Sequence, residues 1–268
     1  MNQPLTGVYP AKRKDGTVYY RASLTYRAKH ISLGSHSDMQ KAHEMYLAAS
    51  ALLNDPSIRL EDYTEDSPLA FAKWVSLINF RDNGLYFSSP IYIRPRFFYY
   101  YFSPTDFFIF DKDDLFYYSS RKISRRGGHY FVADYGMQVN IMNRYGIKNY
   151  AVEGRDYRFI NGNQNDLRYE NIEIFNRFHG VSAVQEKGGT RFLVKIHVKG
   201  YVKVGTYNTE VEAAIAYNKA IDLLKKAGVD KAYTPNYMEG ISPDVYADLY
   251  NSIPVSSRLL HFHRRCAD

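Results

Sequence analysis

Residues 192–204 alternate hydrophobic and polar side chains with the period of half-buried β-strands. Phe192, Val194 and Ile196 fall at every second position. After a lysine–glycine turn, Val202 and Val204 continue the alternation. Because successive side chains of a strand point to opposite faces, the pattern predicts two antiparallel strands with one apolar face. A further strand is expected just before them, from residue 179 onward.

A helix is predicted to follow this sheet. The last strand is expected to end at Gly205, and Asn208 is a suitable N-cap because its side chain can accept a hydrogen bond from the first turn. Gly228 marks the expected end of the helix. One apolar stripe at helical spacing is formed by Ala213, Ala216, Tyr217, Ala220 and Leu224. The helix should therefore cover one face of the sheet and leave the other exposed.

The exposed face of this sheet is predicted to be basic. Residues 179–207 contain one acid, Glu186, and five basic residues, Lys187, Arg191, Lys195, Lys199 and Lys203. A basic β-structure fits the DNA major groove, which admits strands as well as helices. The alternative is that these lysines only solvate an exposed surface, since basic faces are common.

Three segments of this region resemble the AP2/ERF family of DNA-binding domains. They are Gly180-Val181, Val204-Gly205-Thr206-Tyr207 and the helix segment from Glu212-Ala213-Ala214 to Tyr217. The resemblance implies a three-stranded antiparallel sheet that packs on a helix and reads duplex DNA. It implies DNA contacts at His179, Ser182, Lys195, His197, Tyr201 and Lys203, to which the basic turn adds Lys187.

The N-terminal residues repeat this pattern. Gly7-Val8-Tyr9 matches Gly180-Val181-Ser182, and residues 20–25 match residues 192–197. The spacing from Gly34 to Tyr46 is 12 residues, the same as from Gly205 to Tyr217. An internal repeat predicts two similar structural units. Ser37 or Asp38 should cap the first helix, whose apolar stripe is Ala42, Met45, Tyr46, Ala49 and Leu53.

The first repeat also carries a basic sheet. Arg21, Ser23 and Thr25 are expected to face outward, while the residues between them face the helix. We predict DNA contacts in this repeat at Lys12, Arg13, Arg21, Ser23 and Thr25.

The central region contains a distinctive polar segment, Ile160-Asn161-Gly162-Asn163, followed by Asp166, Arg168 and Asn171-Ile172. These residues resemble a motif of the HNH endonucleases that phages and mobile elements carry beside AP2 domains. The resemblance implies a ββα-type domain with a divalent metal, in which a histidine activates water and an aspartate and an asparagine hold the metal.

Two of these three catalytic residues are replaced here. Phe159 stands at the position of the general base and Arg158 at that of the metal-binding aspartate, while Asn171 is retained. Phenylalanine cannot accept a proton, and arginine repels a cation, so the sequence predicts no cleavage, no cofactor and no bound metal. The alternative is a divergent metal-dependent nuclease with a relocated base or ligand, for which His129 and Asp156 are the candidates.

The aromatic residues of the tract 91–110 are interpreted as core and edge strands of a small β-rich domain. A less favoured alternative is stacking on single-stranded nucleic acid. A short helix is expected between Pro68 and Phe80, and another between Ser242 and Ser252.

The charge distribution agrees with two phosphate-binding regions. The net charge of the 268 residues is +7, with +4 in residues 1–60, −1 in 61–175, +4 in 176–240 and zero in the tail. The single cysteine, Cys266, excludes a disulfide framework within the chain. His261 and His263 near the end are interpreted as part of a basic terminus, with metal binding as the alternative. No apolar signal core or membrane span is apparent, which predicts a cytoplasmic protein.

These observations predict an α+β protein with four regions: residues 1–56 and 176–240 as AP2-like domains, 57–175 as a degenerate HNH-like domain, and 241–268 as a C-terminal helix and tail. The expected function is sequence-dependent binding of double-stranded DNA, as a regulator derived from a homing endonuclease that has lost cleavage. The alternatives are the divergent nuclease and an inhibitor that uses the repeats to bind a protein partner. Because the two repeats carry different outward residues, they should read two different subsites.

Overall fold

The computed structural model describes residues 5–262. The chain is a mixed α+β protein built from several small antiparallel sheets, four of them three-stranded within the described residues, together with a few helices. It divides into two compact units: residues up to Ile141 with Asn163–Asn171, and Met142–Gly162 with Ile172 onward. The predicted central domain, 57–175, is thus shared between the two units. His263 and Cys266 lie outside the described residues.

The elements of the first unit begin with a sheet and a helix and continue into an aromatic sheet. In chain order they are β1 (Val8–Lys12), β2 (Val18–Tyr26), β3 (Lys29–His36), α1 (Met39–Asn54), α2 (Phe71–Asn83), β4 (Ile91–Ile93), β5 (Phe97–Tyr101), β6 (Phe107–Asp111), α3 (Leu115–Ser120), β7 (Ser124–Arg126), β8 (His129–Asp134) and β9 (Met137–Asn140).

The second unit consists of a short hairpin, a three-stranded sheet and three helices. They are β10 (Tyr157–Phe159), β11 (Ile172–Ile174), β12 (Val181–Glu186), β13 (Gly189–His197), β14 (Tyr201–Tyr207), α4 (Glu210–Lys226), α5 (Pro243–Ser252) and α6 (Ser257–Leu260). Single turns of 3₁₀ helix lie at Leu60–Asp62, Lys112–Asp114, Ile141–Tyr145 and Tyr169–Asn171.

The sheet β12–β13–β14 and helix α4 confirm the predicted strand–strand–strand–helix order. Val194, Ile196, Val202 and Val204 are buried against the helix, as expected from the alternation. Two details of the prediction are wrong. The last strand does not end at Gly205 but continues to Tyr207, because Gly205 and Thr206 still pair with β13.

The N-cap of α4 is Thr209 and not Asn208. The Thr209 hydroxyl accepts a hydrogen bond from the N–H of Glu212, and the Glu212 carboxylate accepts one from the N–H of Thr209. This reciprocal pair satisfies two of the backbone N–H groups that a helix start leaves without partners.

The first repeat has the same architecture. Strands β1–β2–β3 form an antiparallel sheet in that order, and α1 begins at the predicted cap, Asp38, whose side chain accepts hydrogen bonds from the N–H groups of Gln40 and Lys41. The core of this repeat extends beyond the predicted boundary at residue 56, because Leu69, Trp74 and Leu77 share it.

The two repeats agree in details that the sequence comparison did not use. In each sheet the register shifts at the matched position, between Ala22 and Ser23 in the first repeat and between Val194 and Lys195 in the second. The N–H of Ser23 bonds the carbonyl of Gly7, and the N–H of Lys195 bonds that of Gly180 in the same way. Shared irregularities of this kind are stronger evidence of a repeat than shared strands.

The predicted strands of the aromatic tract are confirmed. Strands β4–β5–β6 form an antiparallel sheet whose inward rings, Phe98, Tyr100 and Phe110, are almost completely buried. The ring of Phe110 stacks on that of Tyr118 with centroids 4.1 Å apart. These rings stabilise the fold and are not available for stacking on bases.

The helix of the expected ββα-type unit is absent from the described chain. Between α3 and α4 the structure contains strands, turns and 3₁₀ turns only. The backbone of 163–171 is bonded to β6 instead, through Ile109 N–H to Asn165 O at 2.9 Å and Leu167 N–H to Ile109 O at 2.8 Å. These hydrogen bonds use groups that an α-helix would need for itself, and the segment forms turns and one 3₁₀ turn instead.

The C-terminal helix is confirmed, with Ser242 as its N-cap. Ile253 and Leu259 belong to the same core as α4, so this core also extends past its predicted boundary at residue 240. Across residues 5–262, none of the helices combines the length and the apolar character that a membrane crossing needs.

Candidate nucleic-acid interface

The exposed face of the sheet β12–β14 brings together most of the predicted DNA-contacting residues. Lys195 lies directly opposite Lys203, and His197 lies directly opposite Tyr201. Paired residues of neighbouring strands point to the same face, and Ser182 shares that face through its pairing with Leu193. We call this surface the C-terminal basic face: Ser182, Lys195, His197, Tyr201 and Lys203. Lys187 is exposed in the turn between β12 and β13, at the far end of the same sheet.

The sheet β1–β3 has a corresponding exposed face. Arg21 pairs with Tyr9, and two guanidinium groups lie near the Tyr19 ring, that of Arg13 at 5.8 Å and that of Arg21 at 6.0 Å from its centroid. Thr25 is exposed on the same face. We call this surface the N-terminal basic face: Tyr9, Arg13, Tyr19, Arg21 and Thr25. Tyr9 and Tyr19 were not predicted, because aromatic residues are frequent along the whole chain.

Two residues predicted to contact DNA in the first repeat are placed differently from the expectation. Ser23 is buried, with only 7% of its surface exposed, although its position in the strand predicted an outward side chain. The register between β2 and β3 shifts next to Ser23, where Leu33 of β3 is the extra residue. Lys12 is exposed, but strand β1 pairs without interruption, so alternation places Lys12 on the face of Val8 and not on that of Arg21.

His179 is also placed differently from the prediction. Its backbone is held by the Asn236 side chain, which accepts from the His179 N–H at 2.7 Å and donates to its carbonyl at 3.0 Å. The half-buried ring contacts Tyr150 and Tyr217, at centroid distances of 4.1 Å and 5.3 Å. Burial, together with the nearby Arg155 charge, lowers the pKa of His179. It is therefore a neutral ring at the edge of the basic face and not an exposed cation.

The basic side chains of the two faces differ from several of those in the central region, because they are not paired with acids in the described part of the chain. Four arginines of the central region are paired with acids: Arg121 with Asp134, Arg155 with Asp156, Arg158 with Glu173, and Arg168 with Asp166 and Glu170. Within residues 5–262, none of the four residues Arg13, Arg21, Lys195 and Lys203 forms an ion pair with an acid. The excess positive charge is thus concentrated where the sheets are exposed.

Comparisons of this chain with protein-family models, with curated proteins and with solved structures found no match. The function must therefore be inferred from the chemistry of the faces themselves.

The residues at the expected HNH positions have structural contacts. Phe159 is buried in β10, and Arg158 donates to the Glu173 carboxylate across the hairpin at 2.6 Å. The buried Asn171 side chain donates to the carbonyls of Asp166 at 2.8 Å and Asn163 at 3.3 Å. The Asn171 side chain thus holds the turn formed by residues 163–171.

The two candidates for a relocated nuclease site lie in different units. His129 is exposed at the start of β8, in the first unit. Asp156 is buried in the second unit, where it accepts from the Val152 N–H, from Arg155 and from Asn176. Burial by itself would raise the pKa of Asp156, but these hydrogen bonds outweigh it and lower the pKa. Among the described residues, no group of three or more His, Cys, Asp or Glu side chains could hold a metal ion.

Proposed function

We propose that the protein binds double-stranded DNA in a sequence-dependent manner through its two basic faces, and that it acts as a regulator. The observation that carries the proposal is the pairing of Lys195 with Lys203 on an exposed sheet face, where neither lysine forms an ion pair within residues 5–262. Like charges directly opposite each other destabilise a sheet, whereas a bound polyanion offsets their repulsion. The sequence resemblance to AP2/ERF domains, which read DNA with such a sheet, also supports it.

The two faces offer different chemistry to a groove. The N-terminal basic face presents Arg21 with tyrosines, while the C-terminal basic face presents Lys195 and His197. Arginine favours the two acceptors of guanine, and lysine and histidine make different sets of hydrogen bonds. We therefore propose that each face recognises its own subsite.

Duplex binding should depend steeply on salt. If the two faces neutralise about 4 to 8 phosphates, the slope of log K against log salt should be roughly −4 to −7, because each contact releases counterions. Fluorescence anisotropy with a pool of random duplexes at several salt concentrations measures this slope. A slope near zero would contradict DNA binding and would favour a protein partner instead.

The proposal also holds that the protein does not cleave DNA. Purified protein should leave supercoiled plasmid intact with Mg²⁺ or Mn²⁺, because Phe159 cannot act as a base and Arg158 is paired with Glu173. Gel electrophoresis of the plasmid after incubation tests this. Nicking that persists through purification and disappears in the Asn171→Ala variant would show a divergent nuclease.

A further inference from the structure

A cavity of about 730 Å³ lies in the second unit, beside the C-terminal basic face. Three segments form its wall: the loop 150–156, the start of β12 with His179, and the extended segment 231–234 that follows α4. Lys195, His197 and Tyr201 of the basic face also border it. The volume lies within the range of about 300 to 1,000 Å³ that small-molecule sites occupy. We call it the Tyr150 cavity.

The wall of this cavity combines cations with aromatic rings. Its charged groups are Arg155, Asp156, Lys195 and Lys231. The only acid among the described residues of the wall, Asp156, is buried and neutralised by Arg155, whose Nε lies 3.0 Å from it. Lys195 and Lys231 are exposed and form no ion pair within residues 5–262. The cavity therefore favours an anion.

Two aromatic side chains, Tyr150 and Tyr233, are held in place around the cavity. The Tyr150 ring meets the His179 ring edge to face, and His179 in turn contacts Tyr217. Tyr233 donates its hydroxyl hydrogen to the His197 carbonyl at 2.9 Å, and Lys231 donates to the same carbonyl at 3.0 Å. Fixed rings of this kind offer a flat surface on which a nucleobase stacks.

One polar atom in the wall has no partner within the described chain. The Nδ1 atom of His179 is buried and makes no hydrogen bond there. A buried polar atom without a partner is costly, and most such atoms in folded proteins are satisfied. The lowered pKa of His179 indicates a neutral ring, with one nitrogen able to accept and one able to donate a hydrogen bond.

We propose that the Tyr150 cavity binds a single nucleoside 5′-phosphate, with the phosphate at Lys195 and Lys231 and the base against the aromatic wall. The volume, the positive charge without a free acid in the described wall and the fixed rings point to this ligand class. The nucleotide comes either from solution or from an unpaired position in a DNA strand. The proposal does not rest on binding of paired duplex.

Calorimetric titration of the full chain tests the proposal with deoxyadenosine and deoxythymidine 5′-monophosphates, and with the corresponding nucleosides and inorganic phosphate. The monophosphates should bind saturably and more tightly than either part alone. Lys231→Gln should weaken this binding about tenfold, because a charged hydrogen-bond donor is removed. Lys225→Gln removes the same charge from the exposed end of α4 and should have no effect.

A second arm distinguishes the two sources. A duplex with one unpaired thymidine and its fully paired counterpart are compared in wild type and in Tyr150→Leu. If the nucleotide comes from DNA, wild type prefers the unpaired duplex and Tyr150→Leu loses that preference, while paired duplex binds equally to both. A preference for free monophosphate alone identifies a soluble nucleotide.

The proposal is overturned if neither ligand binds at the cavity, or if Lys231→Gln binds both as well as wild type does. Since Lys231 is exposed, its replacement should leave the fold intact, which thermal unfolding verifies. An NMR signal of the His179 ring adds a local measurement and should shift on binding in wild type and in Lys225→Gln. Binding of paired duplex can succeed or fail independently of these results.

Discussion

Replacement of both Lys195 and Lys203 with alanine should weaken duplex binding about 100-fold. Hydrogen bonds to charged groups contribute about 1.5–3 kcal/mol each, and 1.4 kcal/mol corresponds to a factor of ten in affinity. The two ammonium groups lie opposite each other on an exposed face, and neither forms an ion pair within the described chain, so both can meet phosphate. The salt slope should also become shallower by roughly two units, because each replaced lysine neutralises one phosphate in the wild-type complex.

The matched control is Lys225→Ala, which removes an equally exposed lysine from the last turn of α4. It should change affinity less than twofold, because α4 lies on the other side of the sheet. Equal reductions in affinity for all variants would mean that only net charge matters, and would contradict recognition by the sheet face. The double variant should be at least as stable as wild type, since it relieves a like-charge pair.

The sheets and their helices were predictable because their signals are local. Alternation along 192–204 fixes which side chains are buried, and the glycine-to-tyrosine spacing of 12 residues identifies both repeats. The predicted N-cap of α4 differs by one residue from the observed one, because Asn208 and Thr209 are both good capping residues. Only the reciprocal bond with Glu212 selects Thr209.

The errors at the interface arise from contacts that are distant in sequence. His179 is fixed by Asn236, 57 residues away, which lies in a segment without helix or strand periodicity. Ser23 is buried beside a register shift, and a bulge leaves no reliable mark in a single sequence. The Tyr150 cavity was not foreseen for the same reason, since three separate segments form its wall.

The HNH-like segment shows a different limit of prediction from sequence. The retained residues Asn163, Asp166 and Asn171 form a hydrogen-bonded turn, and the motif match survives at the level of this turn. The helix expected with it is absent from the described chain, because the segment bonds to β6. A motif match therefore predicts local turn geometry better than it predicts the surrounding domain.

Gly180→Ala should destabilise the second unit by about 2–5 kcal/mol. Gly180 has φ +73°, a left-handed conformation that costs residues with a Cβ about 1–2 kcal/mol. An added Cβ would also lie closer than 3.0 Å to the Tyr217 ring and to the Lys195 carbonyl. Overpacking of this kind costs about 1–3 kcal/mol more. Guanidinium unfolding, with hydrogen exchange of the α4 amides as a local measurement, gives the change in stability.

Gly7 occupies the matched position of the first repeat, with φ +76° and the Tyr46 ring in the place of Tyr217. Gly7→Ala should therefore destabilise α1 and leave exchange in α4 unchanged. Gly200→Ala is the control, since nothing lies near its Cβ direction, and it should change stability by less than about 0.5 kcal/mol. If Gly180→Ala lowered the free energy of unfolding as little as Gly200→Ala, the close approach of Gly180 to the Tyr217 ring would be wrong. The shared glycine–tyrosine contact would then no longer support the repeat.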